Sequence, residues 1–136
     1  MIGILLITHG PFGNSLIKSS SLILGVSHNI DALGIYHGDN IDEFEIKISN
    51  KIKDMLKISQ ELLIFTDLIG GSPSNAVAIT LAKYSKENIE CIVGINLPML
   101  LTALCSRENK KLSNIVSDCI KTGEESIFSL RDRLKI

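Results

Sequence analysis

The run Ile2-Gly3-Ile4-Leu5-Leu6-Ile7 is apolar at consecutive positions, with none of the alternation of a strand that keeps one face in water. Side chains of a strand point to opposite faces in turn, so such a run needs apolar cover on both sides. A parallel sheet flanked by helices supplies it, and that arrangement constrains everything downstream. Short apolar runs then alternate with longer amphipathic ones, with no low-complexity linker or internal repeat between them, which is an α/β pattern. With 136 residues, 45% of them hydrophobic and 21% charged, the chain has one domain's length and enough apolar side chain for a core. Residues 1–136 are read as a single domain.

The segment Phe12 to Leu24 reads as a helix closed by Gly25, and Ala32 to Tyr36 as a second strand. Asn40 followed three positions later by Glu43 forms a capping box, in which each side chain satisfies an amide of the new helix. Ile41, Phe44, Ile48, Ile52, Met55 and Leu56 recur at spacings of three and four and mark its buried stripe. Leu62 to Thr66 forms a third strand leading to Asp67 and a glycine-bearing loop. Ser72-Pro73 then caps a helix running to about Tyr84. Ile89 to Ile95 is a fourth strand, Asn96-Leu97-Pro98 opens a helix through Cys105, and Leu112 to Thr122 is helical in pattern. Ser126 to Leu130 fits either a helical extension or a short strand.

Several function classes fall away. Fourteen basic against fifteen acidic residues leave a net charge of −1, so no nucleic-acid partner is expected. The longest apolar stretches are far below the roughly 20 residues of a membrane span. The N-terminus has no basic region before its apolar run and no small-residue cleavage site after it, so it reads as a strand and not a leader, and a cytoplasmic location follows. Cys91, Cys105 and Cys119 are too widely spaced for a CxxC pair and read as buried, inert thiols. Gly10-Pro11-Phe12-Gly13 is not a dinucleotide fingerprint, and no glycine precedes the Lys-Ser/Thr of a P-loop.

In an open parallel sheet, ligands bind beyond the carboxyl ends of strands, where the strand order reverses. The loops to search are therefore Thr8-His9-Gly10-Pro11 after the first strand and Asp67 through Pro73 after the third. An order of 2-1-3-4 makes those strands neighbours and brings His9 and Asp67 to one edge. A neutral imidazole has one nitrogen free to attack, while a carboxylate on the other fixes the tautomer and stabilises positive charge on the ring. The amides of the helix beginning near Ser72, its hydroxyl and the Gly70-Gly71 backbone suit an anion such as phosphate.

Thr8-His9-Gly10, the helix ending in Leu24-Gly25, the run Asp67-Leu68-Ile69-Gly70-Gly71-Ser72-Pro73-Ser74-Asn75-Ala76 and the run Gly94-Ile95-Asn96-Leu97-Pro98-Met99-Leu100 occur in this order over nearly the whole chain. Together they resemble the IIA domain of the mannose-type (mannose/fructose/sorbose) sugar phosphotransferase system. The resemblance implies a doubly wound, mainly parallel sheet flanked by helices. It also implies a homodimer in which a short antiparallel C-terminal strand, at Ser126 to Leu130, is exchanged between subunits. It implies that His9 takes a phosphoryl group on Nε2 from the phosphocarrier HPr and passes it to a IIB protein, serving the membrane IIC and IID components indirectly. Asp67 matches the aspartate that hydrogen-bonds the Nδ1 side, and Ser72 the phosphate-proximal serine; Gly71 and Gly10 complete the phosphate-binding set. No cofactor and no metal are implied, and with the chain stopping at Ile136 a free-standing IIA protein is expected.

Ile69 and Ser74 stand where family members often carry aromatic residues, which bears on partner surfaces and not on phosphoryl chemistry. His37, in the loop after the second strand, matches no family requirement and is expected in solvent, as is His28. A receiver domain would also place an aspartate after the third strand, but it needs an acidic pair where this chain has Thr8-His9. A serine hydrolase lacks its elbow, because Gly70-Gly71-Ser72-Pro73-Ser74 has no glycine after the Ser-x pair. A regulatory or dihydroxyacetone-kinase-linked phosphohistidine module keeps the same residues and stays open, as does the identity of the sugar.

Overall fold

The computed structural model describes residues 1–136. In chain order the elements are β1 (Gly3–His9), α1 (Phe12–Leu24), β2 (Ile30–Ile35), α2 (Ile41–Ile58), β3 (Leu62–Thr66), α3 (Ser72–Leu81), β4 (Ile89–Val93), α4 (Leu97–Ser106), α5 (Leu112–Glu125) and α6 (Leu130–Leu134). The four strands are parallel in the order β2-β1-β3-β4, as the apolar run of β1 requires. Ile4 and Leu6 lie in one core with Phe65, Leu100 and Ile115 beneath α1, α4 and α5. Leu5 and Ile7 lie in the other with Phe44, Ile48 and Val77 beneath α2 and α3. Consecutive side chains thus enter opposite layers, and six successive residues of β1, Gly3 to Thr8, are buried.

Local signals hold with instructive differences. Gly25 ends α1 at φ +80, a conformation costly for any residue with a Cβ. Asn40 accepts the amide of Glu43 at 3.0 Å, yet the Glu43 carboxylate does not return the bond, so only half of the box forms. Ile41 precedes the buried stripe of α2 and is 51% exposed, because α2 contributes Phe44, Ile48, Ile52 and Met55 to the core and its first turn overhangs the sheet end. Gly94, at φ +92, stops β4 two residues short of Ile95. Of the cysteines, Cys119 is in the core and Cys91 is partly buried, and burial pushes each thiol up to about 12. Cys105 corrects the expectation of three buried thiols: it is exposed, since α4 turns Met99, Leu100 and Ala103 inward.

In the single chain the tail is taken up locally. Ser126 extends the last turn of α5 through its amide and hydroxyl, both bonded to the Thr122 carbonyl. Residues 127–129 have no regular structure, and Ser129 caps α6. Within one chain no strand forms at Ser126 to Leu130: α5 takes up Ser126, α6 begins after Ser129, and the amides of Phe128 and Ser129 are left without a backbone partner.

One glycine sets how β2 meets the loop after β1. A Cβ on Gly34 would lie 2.0 Å from the carbonyl oxygen of Gly10, a backbone atom with no side chain to swing away. At an unconstrained position Gly→Ala tends to stabilise by restricting the unfolded chain, so the sign is diagnostic here. Gly34→Ala should lower unfolding stability by about 1–3 kcal/mol, read by urea denaturation; an unchanged or raised midpoint would show that the loop tolerates the displacement.

Candidate functional site

Because β1 and β3 pair directly, with Ile7 opposite Thr66, the residues that follow them emerge side by side at the carboxyl edge. That edge is where the order reverses, β1 leading to β2 on one side and β3 leading to β4 on the other. Asp67 Oδ2 accepts two hydrogen bonds there, from the backbone amide of His9 at 2.9 Å and from the ring at Nδ1, also at 2.9 Å. The His9 side chain is 49% exposed, whereas that of Asp67 is 13% exposed. Burial opposes ionisation of the Asp67 carboxyl, but the His9 amide, the His9 ring and its own amide outweigh it and hold it below the ordinary carboxylate range. An ionised carboxylate only accepts, so Nδ1 carries a proton, and whenever the ring is neutral the lone pair is on Nε2.

Nε2 lies against the loop that leads into α3. A Cβ on Gly71 would come within 3.2 Å of Nε2 and 2.7 Å of Cε1, so any side chain there would displace the ring. The Gly71 carbonyl accepts from the buried Ser74 hydroxyl at 3.0 Å and from the Asn75 amide, which fixes it as the first turn of the helix begins. Ser72 is not the helix cap that its sequence context suggests: Gly71 holds the cap position and Ser72 is the first helical residue. Its hydroxyl bonds no protein group, and Pro73 removes one amide from the turn, leaving those of Ser72 and Ser74 without a backbone acceptor. The half-exposed His9 and Ser72 line one cleft, and the unpaired amides beside Ser72 belong to a helix N-terminus, the kind of backbone end that suits an anion.

A cleft of about 490 Å³ opens in front of His9, lined by Gly10, Tyr36, His37, Asp39 and Ser72 among others. Gly10 has φ +53, which turns the chain away from the sheet, and its amide donates to the Ile35 carbonyl at 2.8 Å. Of the candidate residues, His9, Asp67, Gly10, Gly71 and Ser72 are thus brought together. His28 is not: it precedes β2 at the opposite edge, where its carbonyl accepts from the Arg107 guanidinium. His37 is exposed, as expected, but it also lines the cleft.

Sequence reasoning missed two supports. Thr8 is fully buried, and its Oγ1 accepts the amide of Gly13 at 2.9 Å, holding the start of α1 against the end of β1. A threonine among apolar residues, five positions before a glycine, was the available signal. Ser74 looked like the loss of an aromatic residue, and it ties the Gly71 loop instead.

The family model for the phosphotransferase-system fructose IIA component (EIIA-man) matches residues 3–120. The fructose-specific EIIA component of Bacillus subtilis is 30% identical over 135 residues, 99% of this chain and 90% of that protein. The mannose-specific EIIAB component of Escherichia coli is 29% identical over 131 residues, covering 96% of this chain but only 40% of that longer protein. A crystal structure of a phosphotransferase-system EIIA component from Streptococcus agalactiae superposes with a TM-score of 0.87 at 26% identity, over 97% of this chain and 99% of that one.

The lowered pKa of Asp67 makes a stability prediction. A carboxyl depressed in the folded state adds stability that is fully present above its unfolded value, about 4, and is lost as pH falls through the folded value. Wild type should therefore exceed Asp67→Asn in unfolding free energy by about 1 kcal/mol near pH 6, and the gap should start to narrow near pH 4, the unfolded value, and close at a lower pH, below the folded one. Denaturant titrations at both pH values read it; a pH-independent gap would mean that the charge on Asp67 does not support the fold.

Proposed function

This chain belongs to the mannose-type IIA family of the sugar phosphotransferase system, whose members are phosphotransfer proteins of sugar transport, and from that membership we propose that its own role is that of a phosphohistidine carrier. His9 accepts the phosphoryl group of phospho-HPr and delivers it to a IIB protein, and through it to membrane IIC and IID components, in the cytoplasm. The observation that supports this most is the 2.9 Å contact of Nδ1 with Asp67, which leaves Nε2 facing the loop at the start of α3.

In the accepting step the Nε2 lone pair forms a new P–N bond as the P–N bond of the donor phosphohistidine breaks. The donor imidazole leaves with that electron pair. The Nδ1 proton remains between His9 and Asp67, and the ring becomes a phosphorylated imidazolium whose positive charge the carboxylate balances. The Ser72 hydroxyl and the amides of the Gly71 to Ser74 turn serve the phosphoryl oxygens, while Gly10 keeps the approach open. Delivery to IIB is the same displacement reversed. Phe12, Tyr36, Ile41, Leu68 and Ile69 are exposed in the segments that follow the strand ends and suit docking of partner proteins rather than enclosure of a small substrate.

His9→Ala should abolish acid-labile labelling from phosphoenolpyruvate, enzyme I and HPr. Asp67→Ala should fold and transfer roughly 10²–10⁴-fold more slowly, the range of orienting and acid–base contributions. Normal labelling of His9→Ala, or phosphate mapped to another histidine, overturns the assignment. Unchanged kinetics in Asp67→Ala reduce Asp67 to a structural cap.

The assembly proposed is a homodimer. β4 is an open edge in the single chain, and Ile127 and Phe128 beside it are 77% and 52% exposed. A tail that leaves its own chain and pairs with the partner's edge would cover both. Light scattering should give a dimer for the full chain and a monomer after deletion from Ser126 onward. A full-length monomer rejects the dimer, and a truncated dimer rejects strand exchange as its cause.

A further inference from the structure

A phosphoryl group on His9 carries about two negative charges at neutral pH, and the cleft that receives it has no lysine or arginine in its lining. Its surroundings are acidic. Asp39 lines it, Asp42 and Glu43 occupy the first turn of α2 beside the lining residue Ile41, and Asp67 sits behind the ring. Tyr36 and the Ser72 hydroxyl are neutral. Apart from His9 itself, His37 is the one lining side chain able to hold a positive charge.

Its backbone is held firmly. The Asp39 amide donates to the Tyr36 carbonyl at 3.0 Å, and the Tyr36 amide donates to Asp39 Oδ2 at 2.7 Å, closing a four-residue turn from both ends. Gly38 has φ +85, the conformation required at the third position of a type II turn, which places His37 at the second corner. The same turn follows Ile35, whose carbonyl bonds Gly10, so the His37 loop and the His9 loop are joined through one backbone hydrogen bond.

Resting on the phosphohistidine reading above, we propose that His37 is a phosphate-contacting residue, its protonated imidazole donating to an oxygen of the phosphoryl group on His9 and making retention of that group depend on pH. The contact offsets the repulsion from Asp39, the carboxylate in the same lining, and loosens when His37 loses its proton.

The test is the equilibrium distribution of phosphoryl between HPr and this protein from pH 5.5 to 8.5, for wild type, His37→Gln and His37→Lys, with the imidazole resonances followed by NMR. Relative to His37→Gln, wild type should hold roughly two- to five-fold more phosphoryl at the acid end, the size of an exposed ion pair. The excess should vanish at the alkaline end. His37→Lys should keep the excess throughout, and the His37 ring should titrate at higher pH once His9 is phosphorylated. Superimposable profiles for wild type and His37→Gln, or a ring that does not respond to phosphorylation, overturn the proposal while leaving His9 as the carrier. Failure of wild type to take up phosphoryl at all overturns both.

Discussion

One carboxylate oxygen joins the ends of two strands, and the site depends on that junction. Asp67 Oδ2 takes the amide and the ring of His9 together, so the backbone direction of β1 at its exit and the tautomer of the imidazole are set by the same atom. The junction requires β1 and β3 to be adjacent and parallel, which the two-sided burial of β1 enforces. It also requires a loop without a side chain where the ring must lie, and Gly71 meets that condition. Asp67 Oδ1 is buried and without a partner. The His9 amide and ring at Oδ2 are the leading groups that favour the charge, which ties the ionisation of Asp67 to the position of His9.

The sheet was legible because its determinants are local. The unbroken apolar run of β1 and the spacing of Phe44, Ile48 and Ile52 reflect periods of two and 3.6 that the backbone itself imposes. The pairing of His9 with Asp67 followed from the order 2-1-3-4, since both residues stand directly after strands. What escaped depends on contacts between distant segments. Nothing around Gly34 in the sequence shows that the Gly10 carbonyl passes 2.0 Å from where its Cβ would be. Nor does Ser72-Pro73 reveal that the helix starts one residue earlier, which moves Ser72 from cap to free hydroxyl. Ile41 fits the apolar stripe by spacing alone, but it lies beyond the end of the sheet that would bury it. The tail was ambiguous for another reason: a strand needs a ladder partner, and in one chain Ser126 and Ser129 find local acceptors and donors instead.

The chemistry asked of a carrier differs from that of an enzyme that consumes its substrate. It must accept a phosphoryl group from one partner and surrender it to another, so binding the group too firmly would stop the relay as surely as failing to bind it. The groups that meet the phosphoryl oxygens in the proposed reading are of moderate strength: backbone amides at a helix start, one serine hydroxyl and at most one titratable imidazole. A fixed guanidinium or ammonium in the same cleft would deepen the well on the carrier side. In the same reading the strongest charge interaction lies on the far side of the ring, where Asp67 would balance an imidazolium and not the phosphate. In that reading, as the P–N bond breaks its electron pair returns to Nε2 as a lone pair and the ring loses its positive charge, so the proton that Asp67 holds on Nδ1 lets the ring leave as a neutral imidazole. The same separation explains the exposure pattern. The Asp67 carboxylate is shielded from water, and His9 is half in solvent with exposed apolar side chains in the segments around it, so a partner in the proposed relay would reach it without any part of the core moving.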